Sequence, residues 1–363
     1  MKIIFLDLDD IKNPLLGAGQ AIATREVGKR LVKRGHKVIV YCSKYPNYKD
    51  RTEDGIVYKH VGLNTKNIKI NNFAYIFTIP FVVKNIQNAD IIVECFTAPV
   101  STLLSPLFTK IPVVALPTSF DAKRFSKNYH LPFWLIEKYG SRAYKYFIAL
   151  TPYLDNKMKK YNPKIKTKII PQGVSSDYLT VTKNKKAEYI LFIGRLDINQ
   201  KGLDLLLESF AKIADKVSYP LVIAGDGPDA ERVRSLIDKL DLSKKVKLVG
   251  FADKKKKIEL FSGASFVAFP SRNEGFSLVS LEAIVSGNRL VSFDIPSLYW
   301  ANSDVARKTK PFNTKKYSEA LLDELNTKNK IKLDVLRKKY FEKYSWDSVS
   351  NQFEYFFQDI LAK

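Results

Sequence analysis

The chain has 363 residues, 45% hydrophobic and 27% charged, which suffices for two domains with full cores and excludes a disordered polymer. Lys and Arg number 60 against 37 Asp and Glu, a net charge of +23, and residues 1–178 hold 28 of the cations against 13 of the acids. Cys42 and Cys95 are the only cysteines and both fall in apolar runs, which argues against a disulfide-stapled secreted domain and for a reducing compartment.

Short β-rich runs alternate with amphipathic stretches along the whole chain, the pattern of an α/β fold with parallel sheets. The first half predicts strands at 2–8, 37–42, 56–61, 90–95, 112–116, 146–150 and 167–170. A helix at 20–34 places Ile22, Val27, Leu31 and Val32 on one face, and Thr151 reads as the N-cap of another. A strand at the very start leaves no room for a signal peptide, and runs such as 73–83 are too short or interrupted to span a bilayer. The expected location is cytoplasmic, or peripheral on the inner face of the membrane.

Residues 173–186 are polar and end in a lysine-rich run, which reads as a linker. A second alternation follows, with strands at 189–193, 219–224, 245–249, 265–269 and 289–293 and helices at 202–215, 229–240, 253–262 and 277–286. Two Rossmann-like domains are therefore expected, 1–178 and 179–343, with a terminal helix at 344–363 completing the first. Trp346, Phe353, Tyr355, Phe356 and Phe357 form its apolar stripe and are all expected in the core. Ligands of open α/β sheets bind at strand C-terminal ends, so a cleft between the two domains is the expected site.

The run from Phe269 to Ala283 sets two glutamates eight positions apart across a strand-to-helix turn. Pro270 ends the strand and Ser277 is the expected N-cap, so Glu274 falls in the loop and Glu282 within the helix. Between them lie the unpaired N–H groups of a helix N-terminus, a natural seat for a diphosphate. A sugar hydroxyl on Glu274, phosphates on the amides and ribose on Glu282 would together hold a nucleotide sugar. The loop from Gly194 to Gly202 also follows a strand, and there Arg195 can grip phosphate with its fork and Lys201 as a point charge.

Competing motifs exist. Asp7, Asp9 and the Gly225–Asp229 run resemble the nucleophile loop and magnesium motif of haloacid-dehalogenase-type phosphatases, with Asp7 as nucleophile, Asp9 as acid/base and Asp226 on Mg²⁺. That alternative leaves Arg195, Lys201, Glu274 and Glu282 without a role. A non-catalytic basic protein binding membrane or nucleic acid is a further alternative, but no nucleic-acid motif interleaves aromatics with the cations. Gly17 and Gly19 lack the third glycine of a dinucleotide fingerprint. With His36, His60 and His130 the only histidines, no clustered metal-ligand set is expected, and no cofactor.

The second half resembles the GT-B retaining glycosyltransferases of family 4 through Gly194-Arg195-Leu196, Lys201-Gly202, Ala224–Pro228, Val249-Gly250-Phe251 and Pro270–Ala283. The first half resembles them more loosely, through Gly17 and Gly19, Arg34–Val38 and Pro171–Val174. The resemblance implies a metal-independent, retaining hexosyl transfer from a UDP- or GDP-sugar to a hydroxyl acceptor, with a lipid-linked acceptor or a cell-surface glycan precursor as candidates. It implies that Arg195 and Lys201 neutralise the leaving diphosphate, Glu274 holds the sugar and Glu282 the ribose. Gly194, Gly275, Phe276, Ser277 and Leu278 would border phosphate and sugar, Gly250 and Phe251 the base, and Gly17 and Gly19 the donor phosphate. Thr118 stands where many members carry a histidine, and a hydroxyl cannot carry that charge.

Residues 120–134 interleave Lys123, Arg124 and Lys127 with Phe120, Phe125, Tyr129, Phe133 and Trp134. Aromatic bodies beside cations suit the water–lipid interface, so an anionic membrane surface is the expected partner of this segment. The competing expectation makes Phe133 and Trp134 core residues of a helix continuing to Tyr144, and it is favoured for Trp134.

Overall fold

The computed structural model describes the chain apart from residues 15–18, 97–99, 118–119, 121, 185–187, 328–332 and 363. The chain divides into unit 1, Met1–Gly173 with Trp346–Lys363, and unit 2, Val174–Ser345.

Unit 1 runs β1 (Lys2–Leu6), α1 (Gly19–Lys33), β2 (Lys37–Ser43), β3 (Arg51–Glu53), β4 (Ile56–Val61), α2 (Ile68–Lys84) and β5 (Ile91–Phe96). It continues through β6 (Val113–Pro117), α3 (Ala122–Tyr129), α4 (Phe133–Gly140), β7 (Tyr146–Ala149), α5 (Pro152–Tyr161) and β8 (Lys166–Ile169). These strands form one sheet in the order β3-β4-β2-β1-β5-β6-β7-β8, parallel except for the β3 edge. Its central strands are buried on both faces, as Ile3 to Leu6 and Ile91 to Phe96 show, which is why they read as apolar runs, broken in β5 only by the buried Glu94. The packed face of α1 is Ala21, Thr24, Val27 and Leu31; Ile22, expected among them, is exposed.

Unit 2 runs β9 (Tyr189–Ile193), α6 (Ile198–Lys201), α7 (Leu203–Ala211), β10 (Leu221–Ala224), α8 (Ala230–Lys239), β11 (Val246–Leu248) and α9 (Lys254–Gly263). There follow β12 (Ala264–Phe269), α10 (Leu278–Val285), β13 (Leu290–Phe293), β14 (Ala306–Thr309), α11 (Thr314–Asn326) and α12 (Leu333–Tyr344). Its parallel sheet has the order β11-β10-β9-β12-β13-β14. The order reverses between β9 and β12, which makes the C-terminal ends of these two neighbours the switch point, where ligands of open α/β sheets bind.

The last helix, α13 (Trp346–Leu361), belongs to unit 1 and packs along α1. Arg30 pairs with Asp347 at 2.9 Å, and Arg34 and His36 both reach Glu354. Trp346, Phe353, Phe356 and Phe357 are buried, but Tyr355 is 70% exposed and corrects the five-residue stripe. Tyr355 lies two positions from both Phe353 and Phe357, roughly 200° around the helix and so on its outer side.

The expected linker is also corrected. Tyr178 and Val181 are buried in unit 2, and Lys183 Nζ donates to the Phe261 and Ala264 carbonyls and to Asn288 Oδ1. Side-chain hydrogen bonds spread over the stretch tie it down in a way composition alone does not reveal. The helix expected to continue from Phe133 to Tyr144 ends at Gly140, and α3 is broken from α4 at His130–Pro132, where His130 takes a positive φ of 55°.

Candidate active site in unit 2

The strand order brings the two predicted loops together. Asp197 caps α6 by accepting from the Gln200 N–H, and the single turn ends at Lys201 because Gly202 adopts the left-handed conformation, φ 68°. A Cβ at Gly202 would run into the Pro270 carbonyl at the end of β12, so only glycine permits this approach of the two loops. Lys201 is thereby delivered to Glu274: Nζ to Oε1 is 2.6 Å, and Ser271 Oγ, fully buried, donates to the same oxygen at 2.8 Å.

The loop carrying Glu274 is clamped from outside. The Arg272 fork binds both carboxylate oxygens of Asp204 on α7 at 2.7 and 2.8 Å, and its Nη1 donates to the Ile198 carbonyl. The Asp204 contact holds the Arg272 guanidinium above its ordinary pKa; burial opposes ionisation of Asp204, but the guanidinium outweighs it and keeps the carboxyl low. The Arg272 N–H also donates to the Gln200 carbonyl, stitching the two loops along their backbones.

Ser277 is the N-cap of α10, as its sequence position predicts, with Oγ accepting from the Ser280 N–H and φ at 76°. Leu278 opens the helix, and its first-turn N–H groups have no carbonyl one turn earlier in the helix. Phe276 is buried and stacks on Trp300, ring centres 5.3 Å apart, which anchors the turn from behind. Glu282, one turn on, accepts from Lys257 Nζ at 3.0 Å and lies near Tyr178, whose phenol is raised by burial and then by that carboxylate. Arg195 is exposed on the loop after β9. Gly194 donates to the Ala224 carbonyl, and after β11 Gly250 leads to Phe251, 77% exposed.

Unit 2 thus brings Arg195, Lys201 and Glu274 to the switch point, with Glu282 on the adjoining helix. Sequence reasoning missed the pairing of Lys201 with Glu274, the Arg272–Asp204 clamp and the partners of Glu282. Ser271 and Arg272 lay inside the quoted motif. Lys257 was hidden in a lysine run that looks solvated.

In unit 1, Gly19 begins α1, while Gly17 and Thr118 lie outside the described residues. Lys123, Arg124 and Lys127 share α3; Lys123 and Lys127 are exposed and Arg124 is half-buried, its guanidinium over the Phe125 ring. Trp134, expected in the core, is 40% exposed, whereas Phe133 is buried.

The phosphatase motifs resolve otherwise. Asp7 is buried, takes the Thr24 hydroxyl at 2.5 Å, and is pushed up by burial to about 6. Asp226 belongs to the other unit, where its side chain accepts from the Gly227 N–H and its carbonyl from Leu196. The Gly225–Pro228 loop is packed onto the Gly194–Leu196 loop, and a Cβ at Gly225 would overlap the Gly194 carbonyl. Its glycines therefore serve that contact.

One cluster was not foreseen. Strands β4 and β2 and the loop after β1 bring together Asp10, Cys42 and His60, with ligand atoms within 4.8 Å of one another. Arg51 already grips both oxygens of Asp10 at 2.6 and 2.7 Å, with His60 and Tyr45 donating as well. Burial opposes its ionisation, but the Arg51 and His60 contacts hold the Asp10 carboxyl below the usual range. A guanidinium thus fills the place where a cation would act.

Comparison with known proteins agrees with this geometry. The family model for Glycosyl transferases group 1 matches residues 180–330, and that for Glycosyltransferase Family 4 matches 17–178. Two uncharacterized glycosyltransferases of Methanocaldococcus jannaschii are similar: one is 29% identical over 45% of this chain and 43% of its own, the other 22% identical over 88% and 89%. The crystal structure of Anabaena HepE in complex with UDP-glucose shares the fold, with a TM-score of 0.75, 15% identity and coverage of 100% of this chain and 99% of that one. The loops that carry Arg195, Lys201 and Glu274 lie in the part matched by the group 1 model, and the chain belongs to the group 1 glycosyltransferases of GT-B fold.

Proposed function

We propose that the chain is a metal-independent, retaining hexosyltransferase that uses a UDP- or GDP-sugar and a hydroxyl acceptor. The Lys201–Glu274 pair at the β9/β12 switch point carries this reading. The bond from the sugar C1 to the diphosphate breaks as the acceptor oxygen bonds to C1 on the same face. The acceptor's proton passes to the departing phosphate oxygen, so no protein nucleophile is required.

Lys201 and Arg195 stabilise the charge that develops on the diphosphate, and Glu274 fixes the sugar hydroxyls. Glu282 takes the ribose, and the first turn of α10, from Ser277 and Leu278, faces phosphate. Gly194, Gly250, Phe251, Gly275 and Phe276 border the donor. In unit 1, Gly17, Gly19 and Thr118 stay assigned to the donor by the family resemblance alone. Lys123, Arg124 and Lys127 draw an anionic membrane surface, with a lipid-linked hydroxyl as the acceptor class. Among the described residues no helix is long and apolar enough to cross a membrane, which agrees with docking from one side.

Thermal-shift measurement with UDP, GDP, ADP and Mg²⁺, followed by hydrolysis across nucleotide sugars with and without chelator, tests the reading. Stabilisation by a nucleoside diphosphate without metal and chelator-resistant hydrolysis are expected. Stabilisation by Mg²⁺ alone would overturn it.

A further inference from the structure

Helix α2 is apolar on two sides. Asn71, Tyr75, Ile79 and Val83 are buried, on the side of the helix that faces β2 and β4. Ile70, Phe77 and Phe81 are 47%, 71% and 70% exposed, and they fall within roughly 40° of one another on the opposite side. Large contiguous apolar surface on a soluble domain marks an interaction site.

The charges around it have one sign. From residue 55 through 89 there is no Asp or Glu, while Lys59, Lys66, Lys69 and Lys84 are present. Lys66 and Lys69 border the N-terminus of α2, and Lys84 ends the outward stripe. Lys69 Nζ stands 5.5 Å over the Tyr129 ring, so α2 adjoins α3 and its exposed Lys123 and Lys127. The turn Ser105–Leu107 packs beside α2 and leaves Leu107 66% exposed. A second copy laid face to face here would set lysine on lysine, with no acid in the segment to answer it.

We propose that α2 is an interface helix, whose stripe of Ile70, Phe77 and Phe81 enters the headgroup–acyl boundary of an anionic bilayer while its lysines meet the headgroups. Apolar residues on one face and lysines at the margins are what a helix lying in the plane of the interface requires. The buried side, held against the sheet, prevents α2 from spanning. This deepens the membrane-facing reading of unit 1 and rests on it, adding hydrophobic insertion to the attraction exerted by α3.

The test is vesicle sedimentation with phosphatidylcholine alone and mixed with phosphatidylglycerol, at low and high salt. The proteins are the wild type, Phe77→Ser/Phe81→Ser, and Lys66→Ser/Lys69→Ser/Lys84→Ser. The wild type should bind the anionic vesicles, and part of that binding should survive high salt. The phenylalanine variant should lose about tenfold or more of the salt-resistant partitioning, and the lysine variant the low-salt binding. A polarity-sensitive dye on Phe77→Cys should shift to the blue with vesicles; Cys42 and Cys95 are buried and leave position 77 as the reactive thiol.

Wild type that ignores anionic vesicles, or a phenylalanine variant that partitions like wild type, overturns the proposal. So does a dimer abolished by the phenylalanine changes without any vesicle binding. Nucleotide-sugar hydrolysis should keep the wild-type rate in both variants. Its absence in the wild type would strike the transferase reading instead.

Discussion

Lys201 and Glu274 are coupled in stability as well as in chemistry, and the two roles can be separated. Their side chains are 18% and 8% exposed and meet at 2.6 Å, between the surface pairs worth almost nothing and the fully buried pairs whose rupture costs about 3–5 kcal/mol. Lys201→Met should therefore destabilise by about 1–3 kcal/mol, because it strands the Glu274 carboxylate with Ser271 as its remaining partner in the pair's surroundings. Glu274→Gln should cost a similar amount. The double variant buries no unpaired charge and should lose no more than the worse single, a coupling of about 1–2 kcal/mol. Turnover should behave differently: each single should lower kcat/KM by about 10² to 10³, and the double should recover none of it. Urea denaturation and donor hydrolysis on the same four proteins provide both readouts. Additive stability losses would refute the pairing argument, and near-normal turnover by Lys201→Met would remove the diphosphate assignment.

Arg195→Ala should lower turnover by about 10² or more with the melting temperature unmoved, because the side chain is exposed; a large stability loss would assign it a structural role. Glu282→Gln should weaken nucleotide binding, read by calorimetry, while kcat changes little, since ribose contacts are similar before and during transfer. The reverse pattern would end the ribose assignment. Asp7 rises from 3.8 to about 6 in the folded chain, so its contribution to stability is fully present below about 4 and lost as pH climbs through 6. Compared with wild type, Asp7→Asn should flatten that fall by about 3 kcal/mol at most, measured by denaturation between pH 4 and 7.5, and an unchanged difference across that range would contradict the shift.

The alternation of apolar strands and amphipathic helices, and the two glutamates astride one turn, could be read directly, because each depends on residues close in sequence. The Lys201–Glu274 contact could not, since it requires β9 and β12 to be neighbours across 73 positions. The Asp10–Arg51–His60 cluster escaped for the same reason, being assembled from the loop after β1 and from β3 and β4, more than 40 positions on. Tyr355 stands outside the stripe because helical period, which aromatic content does not encode, turns it away from Phe353 and Phe357. The expected linker failed because lysine looks like solvent-facing composition until its ammonium finds three oxygens, as Lys183 does.

Helix α13 gives unit 1 an unusual place in the order of synthesis. The chain leaves unit 1 at Gly173 and comes back at Trp346, whose indole lies against the Gly173 backbone, while Val174 and Ser345 pair beside it. On the ribosome, the first 173 residues emerge with the α1 surface that α13 will cover still bare, and the whole of unit 2 is made in the interval. At about 5–20 residues per second, the 172 residues of unit 2 impose a wait on the order of 10–30 seconds. The unit made first is finished last. During that wait the flank of α1 that meets α13 depends on its own charges, Arg30 and Arg34, to stay soluble.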